Sequence, residues 1–174
     1  GQRLRGVASL LLEAAEGQIE VAAMYDPDPG SQTSTHTTFG SEVINCATEE
    51  ELAHHPSVDW VFIGSPNGHH ARQSVLALRA GKNVFCEKPL AIHLDDCQLV
   101  RNAVRESGGT FAFGLVLRYS PHYQKIREIV QSGALGELIS FEFNETLAFT
   151  HGGYIFGNWR RHRELAGSHL LEKC

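Results

Sequence analysis

From residue 1 to about 117 the chain alternates helical and strand-like segments, and glycines close most of the helical ones. That order is its strongest constraint. Parallel neighbours in a sheet need a crossover of a dozen or more residues, and intervening helices supply it. Residues 7–16 read as a helix stopped at Gly17, and 19–25 as a strand broken by Asp26-Pro27-Asp28-Pro29-Gly30. Residues 31–40 are polar and Thr-rich without clear periodicity, and read as a loop or a poor helix. A helix over 49–54 follows, capped by Thr48 with Glu51 three residues on. Residues 58–64 form a continuous apolar strand of the kind covered on both faces. Then come a turn at Ser65-Pro66-Asn67-Gly68, a helix over 69–80 ending at Gly81, a strand over 83–86, a helix over 94–107 and a strand over 110–117. Asp95 and Asp96 suit the first turn of the fourth of these helices, where the dipole favours negative charge. The expected fold class is α/β: a doubly wound parallel sheet with right-handed crossovers.

After Arg118-Tyr119-Ser120-Pro121 the pattern changes. Residues 122–132 read as a helix closed by Gly133. Residues 138–149 alternate in part and suggest an antiparallel strand with one wet face. The expected division is 1–117 as the parallel-sheet domain and 118–174 as the start of a second domain with a mainly antiparallel sheet.

With 174 residues the chain is long enough for one domain and part of another. A net charge of −5, with only Arg160, Arg161 and Arg163 clustered, argues against a nucleic-acid partner. No apolar run is long enough to span a bilayer, so no membrane partner is expected. Cys46, Cys86, Cys97 and Cys174 form no CxxC pair, which suits reduced thiols in a cytoplasmic-type compartment and no metal site.

Glu87-Lys88-Pro89 ends the strand over 83–86, which puts a lysine at the carboxyl edge of the sheet, where open α/β sheets hold ligands. Such a lysine can donate or accept a proton, though a surface lysine before a turn proline fits the same tripeptide. Gly1-Gln2-Arg3-Leu4-Arg5-Gly6 precedes a helix and suits either a pyrophosphate cradle or an exposed turn. No register completes GxGxxG. Asp26 ends the next strand about 20 residues on, where an acid hydrogen-bonds ribose hydroxyls; it also suits the start of a turn. Asn67, His69 and His70 lie where a strand end meets a helix N-terminus, and either histidine also fits as a plain first-turn residue, His69 the better of the two.

Three segments together carry a resemblance: Ser65-Pro66-Asn67-Gly68-His69-His70, Ala80-Gly81-Lys82-Asn83-Val84, and Cys86-Glu87-Lys88-Pro89-Leu90-Ala91. With Leu117 to Pro121, Ser132 to Glu137 and Asn158-Trp159-Arg160 in order, the chain resembles the Gfo/Idh/MocA family of glucose–fructose oxidoreductase and inositol dehydrogenase relatives. The resemblance implies an N-terminal Rossmann domain, an open-sheet second domain that oligomerises, and hydride transfer between a nicotinamide and a carbinol carbon of a sugar, polyol or related hydroxy compound. It implies that Gly1, Arg3, Asp26, Pro66, Asn67, His70, Glu87, Trp159 and Arg160 lie near the cofactor. Lys88 would be catalytic, and Glu172 would stand where the family commonly carries a catalytic Asp. Asp26 favours NAD, because a 2′-phosphate would meet its carboxylate; Arg3 and Arg5 keep NADP open.

Against the family pattern, the first strand and first glycine of the fingerprint are expected to precede residue 1. A catalytic His is expected two residues beyond Cys174. A chain of this extent is expected to be inactive by itself. A non-catalytic dinucleotide-binding regulator or scaffold on the same fold is the alternative reading, since fold and function are separable.

Overall fold

The computed structural model describes residues 1–144, 146, 148–168 and 171, except the side chains of His151 and Tyr154. Helix α1 (Gln2–Ala14) is followed by β1 (Ala23–Met24), α2 (Pro29–Phe39), β2 (Ile44–Asn45), α3 (Glu49–His54) and β3 (Trp60–Ile63). Then come α4 (His70–Arg79), β4 (Asn83–Glu87), α5 (Leu94–Ser107), β5 (Phe111–Gly114), α6 (Pro121–Gln131), α7 (Phe149–Phe156) and α8 (Arg163–Ala166). All pairings among these strands are parallel. β1 pairs with β2, and β3, β4 and β5 form a second sheet in that order, with β4 central.

The core lies on the β3–β4–β5 sheet. Val84 and Cys86 of β4 are fully buried, with Val61 and Ile63 of β3, Leu78 and Ala77 of α4, and Ala103 of α5 around them. α4 and α5 pack against each other, and α4 also packs on β4. Burying a side chain such as Leu78 stabilises the fold by about 1.5–3 kcal/mol. The helix ends have local causes. Glu51 N–H donates to the Thr48 hydroxyl at 3.0 Å, and the Glu51 carboxylate accepts from Ala47 N–H at 2.6 Å, one residue before the reciprocal bond of a standard capping box. α5 has both aspartates in its first turn and stops at Gly108, whose φ of 64° is the left-handed conformation glycine adopts without penalty.

Four expectations change. The segment 1–6, expected to precede a helix starting at residue 7, is itself helical from Gln2 on, so Gly1 is the N-cap and Gly6 lies inside α1. Residues 31–40 lie mostly in a regular helix, α2. Its N-cap Asp28 accepts from Ser31 N–H at 2.7 Å, and Pro29 occupies the first turn, where its missing N–H costs nothing. Thr33, Ser34, Thr35, Thr37 and Thr38 each donate a hydroxyl to the carbonyl four residues earlier, so these residues satisfy themselves within the helix. The strand expected over 19–25 shrinks to Ala23–Met24, because its partner β2 is itself two residues long. The strand expected over 138–149 is not formed among the described residues: 138–144 carry no ladder, Ile139 and Phe141 are 84% and 90% exposed, and α7 begins at Phe149. A strand needs a partner for its main-chain groups, and among the described residues no strand pairs with this segment.

Candidate functional site

Because β3, β4 and β5 are parallel and in register, their carboxyl ends open on one edge, and most of the singled-out residues gather there. Ile63 pairs with Cys86, and Glu87 pairs with Gly114. Lys88, half-buried, follows β4 directly. The Lys88–Pro89 peptide is cis.

The N-terminal half of α1 spans both sheets along this edge. The main-chain nitrogen of Gly1 lies 3.3 Å from Asp26 Oδ2, beyond the end of β1. Leu4 packs against Gly64, beyond β3. Arg3 Nε donates to Glu87 Oε1 at 3.1 Å, at the end of β4. Glu87 is 6% exposed, and a carboxylate so deeply placed needs such partners. The first turn of α1 contains no acidic side chain, and no side chain caps it. N–H groups at a helix start of this kind can receive an anion, with the helix dipole adding to the attraction. Asp26 starts the turn expected of it, Oδ1 accepting from Asp28 N–H at 3.0 Å, while Oδ2 faces Gly1.

Asn67 holds a structural contact. It is buried, and its Nδ2 donates to the Ala166 carbonyl at 3.1 Å, which docks α8 onto the turn after β3. α8 in turn packs on the short helical turn Trp159–Arg161. There the Arg160 guanidinium stacks 4.1 Å from the Trp159 ring centre, and Arg160 N–H donates to the Asn158 side chain at 2.9 Å. Pro66 shapes the turn before Asn67. Glu172 lies outside the described residues.

His70 is 1% exposed, with both ring nitrogens against main-chain carbonyls: Nδ1 at 2.7 Å from Pro89 O and Nε2 at 2.9 Å from Ser65 O. Burial pushes its pKa down, and the two carbonyls and the Glu87 carboxylate recover only part of that. The Ser65 hydroxyl donates to Gln73 Oε1 at 2.6 Å. Gln73 Nε2 and Arg72 Nη2 reach Glu49 at 2.7 Å and 2.9 Å. Burial by itself would raise the Glu49 carboxyl, but the Arg72 and Gln73 hydrogen bonds and the charges of Arg72 and His69 hold it below its ordinary range.

Two residues of this edge were not anticipated from the sequence. A Cβ on Gly114 would sit 3.1 Å from Glu87 Oε2 and 3.2 Å from Glu87 Cα, so glycine there lets the Glu87 side chain lie against β5. A Cβ on Gly68 would sit 2.7 Å from the Glu164 carbonyl oxygen, so glycine there admits α8. A glycine ending a strand opposite a carboxylate is a signal for the first; the second depends on a segment almost a hundred residues away.

Comparison with known proteins places this edge in context. The Gfo/Idh/MocA oxidoreductases, an NAD-binding Rossmann-fold family, match residues 7–115. The chain belongs to that family. It is 27% identical over 151 residues to the 2,7-anhydro-N-acetylneuraminate hydratase of Escherichia coli, covering 87% of this chain and 39% of that protein. It is 33% identical over 120 residues to the inositol 2-dehydrogenase of Salmonella paratyphi B, covering 68% of this chain and 36% of that one. The crystal structure of scyllo-inositol dehydrogenase from Lactobacillus casei with bound NAD(H) and scyllo-inositol superposes with a TM-score of 0.64 at 24% identity, over 75% of this chain and 39% of that one, a likeness of fold. The chain thus spans about two fifths of the length of these relatives. The α/β class read from the strand–helix alternation is the class of the family. No helix among the described residues is long and apolar enough to cross a membrane.

Proposed function

We propose that the protein containing this chain is an NAD-dependent oxidoreductase of a sugar, polyol or related hydroxy compound, with residues 1–117 as its dinucleotide-binding domain and Lys88 as its proton-handling group. The observation that carries the reading is Lys88 at the carboxyl end of the central strand, beside a buried Glu87 that Arg3 pairs, in a family that binds NAD.

The edge suits a dinucleotide. The uncapped first turn of α1 would meet the pyrophosphate, and Asp26 would accept from the ribose hydroxyls. NAD is favoured over NADP on two grounds. A 2′-phosphate would meet the Asp26 carboxylate, and Arg3, one of the two arginines that keep NADP open, is engaged by Glu87. Bound NAD supplies the hydride acceptor at its nicotinamide ring. Lys88 takes the hydroxyl proton when the carbinol is oxidised and returns it in the reverse direction. The Arg3–Glu87 pair anchors the strand end from which Lys88 projects. Trp159 and Arg160, brought to the turn after β3 by α8, would flank the cofactor.

The test is nucleotide titration calorimetry on the intact protein, then turnover with a panel of inositols and sugars. NAD should bind more tightly than NADP. Asp26→Ala should weaken NAD roughly tenfold or more, the value of a hydrogen bond to a charged group. Lys88→Ala should keep NAD binding and lose about 10²–10⁴ in turnover. Failure to bind either nucleotide would refute the reading and favour a regulator or scaffold on the same fold.

A further inference from the structure

His70 was expected among the cofactor contacts, yet its ring is sealed from solvent and both nitrogens are taken by main-chain carbonyls. Carbonyl oxygens only accept. A neutral imidazole has one N–H, so it satisfies one of the two carbonyls and turns a lone pair toward the other. Burial disfavours the imidazolium, the nearby His69 opposes it further, and the Glu87 carboxylate and the two carbonyls offset this only in part. The single proton therefore belongs on the nitrogen with the shorter contact, Nδ1, 2.7 Å from Pro89 O. Pro89 is bonded directly to Lys88. The ring opens α4 and lies in the core, so it is a rigid post for the main chain that follows β4.

We propose that His70 is a positioning residue for Lys88: its Nδ1–H holds the Pro89 carbonyl and so fixes the main chain from which the lysine projects, while Nε2 toward Ser65 is a packing contact. Its bearing on turnover rests on Lys88 being the proton-handling group; the positioning itself does not. No ring atom is left for a nucleotide, as expected of a residue acting through its neighbour.

The experiment uses the intact protein with its lysines reductively ¹³C-methylated, the Lys88 signal being identified by its loss in Lys88→Arg. His70→Asn puts an amide N–H near the place of Nδ1, and His70→Gln puts one near the place of Nε2. Both remove the same ring from the core and should lower the melting temperature alike. The Lys88 methyl signal and its pH titration should stay close to wild type in His70→Asn and shift in His70→Gln. Equal behaviour in the two variants, shifted or unshifted, would overturn the proposal. Should neither variant fold, long-range ¹⁵N–¹H spectra of the unsubstituted protein decide: an Nδ1–H tautomer at pH 7 is expected, and Nε2–H overturns the assignment. None of these readouts uses cofactor or turnover. A Lys88→Ala protein that kept full turnover would sink the catalytic reading and leave the positioning result standing.

Discussion

Gly68→Ala tests how the turn after β3 holds the segment that carries Trp159 and Arg160. The added Cβ would lie 2.7 Å from the Glu164 carbonyl oxygen, and ordinary contact begins near 3.4 Å. α8 must therefore retreat by about 0.7 Å or the turn must deform by as much. The Asn67 Nδ2 bond to Ala166 O, now 3.1 Å, would be stretched toward the limit of a useful hydrogen bond. Strain from overpacking of this kind costs about 1–3 kcal/mol. Undocking gives up a buried hydrogen bond worth about 1 kcal/mol and the burial of Ala166, which falls in the same range. The cost is local, so hydrogen exchange is the assay. The amides of Leu165, Ala166 and Gly167, bonded at 3.1, 3.0 and 2.7 Å, should exchange about 5–150-fold faster, while those of β4 should not change. Gly152→Ala is the control, since nothing lies within 4 Å of a Cβ there. Unchanged exchange at 165–167 in Gly68→Ala would refute the close approach and, with it, the docking of α8 by Asn67.

Further outcomes follow from the same edge. Gly114→Ala should push the Glu87 carboxylate off β5 and loosen its pairing with Arg3, lowering stability by about 1–3 kcal/mol in denaturant titrations. Glu49 sits below its ordinary range in the fold, so its contribution is complete above the unfolded value near about 4.3 and disappears as pH falls through the lower folded value. Arg72→Ala should therefore flatten the acid limb of a stability–pH curve, by less than about 1 kcal/mol because Arg72 is 56% exposed. Burial drives the Cys86 thiol up to about 12, with Glu87 adding to it, so alkylation of the native protein at pH 8 should modify half-exposed Cys97 before buried Cys86. Mass spectrometry of the labelled peptides reads the order.

Where a residue announces its structure by its own chemistry, the sequence was enough. α5 runs over the expected 94–107, because two aspartates suit its first turn and Gly108 its end. Thr48 and Glu51 mark the start of α3, and the turn at Glu87-Lys88 follows from a strand that meets a proline. α2 was obscure because Ser and Thr give no apolar stripe; their hydroxyls bond along the helix, which periodicity does not register. The alternation over 138–149 invited a strand, but a ladder is a property of two segments. In the site, Lys88, Glu87 and Asp26 were legible as strand-end residues. The service of Asn67 to α8 and of His70 to Pro89 was not, since each joins segments whose meeting only the packing decides.

The register of the parallel pairs has a kinetic consequence. Ala23 meets Ile44, Trp60 meets Asn83, and Val84 meets Phe111, so every ladder closes a loop of about 20–30 residues. Closure entropy grows only with the logarithm of loop length, which leaves the three closures within about 0.2 kcal/mol of one another. Among the described residues no pairing waits on a distant part of the chain. During synthesis at roughly 5–20 residues per second, β2 can join β1, and β4 and β5 can each join the strand made before it, within seconds of leaving the ribosome, so the β3–β4–β5 sheet grows by accretion in the order in which it is made.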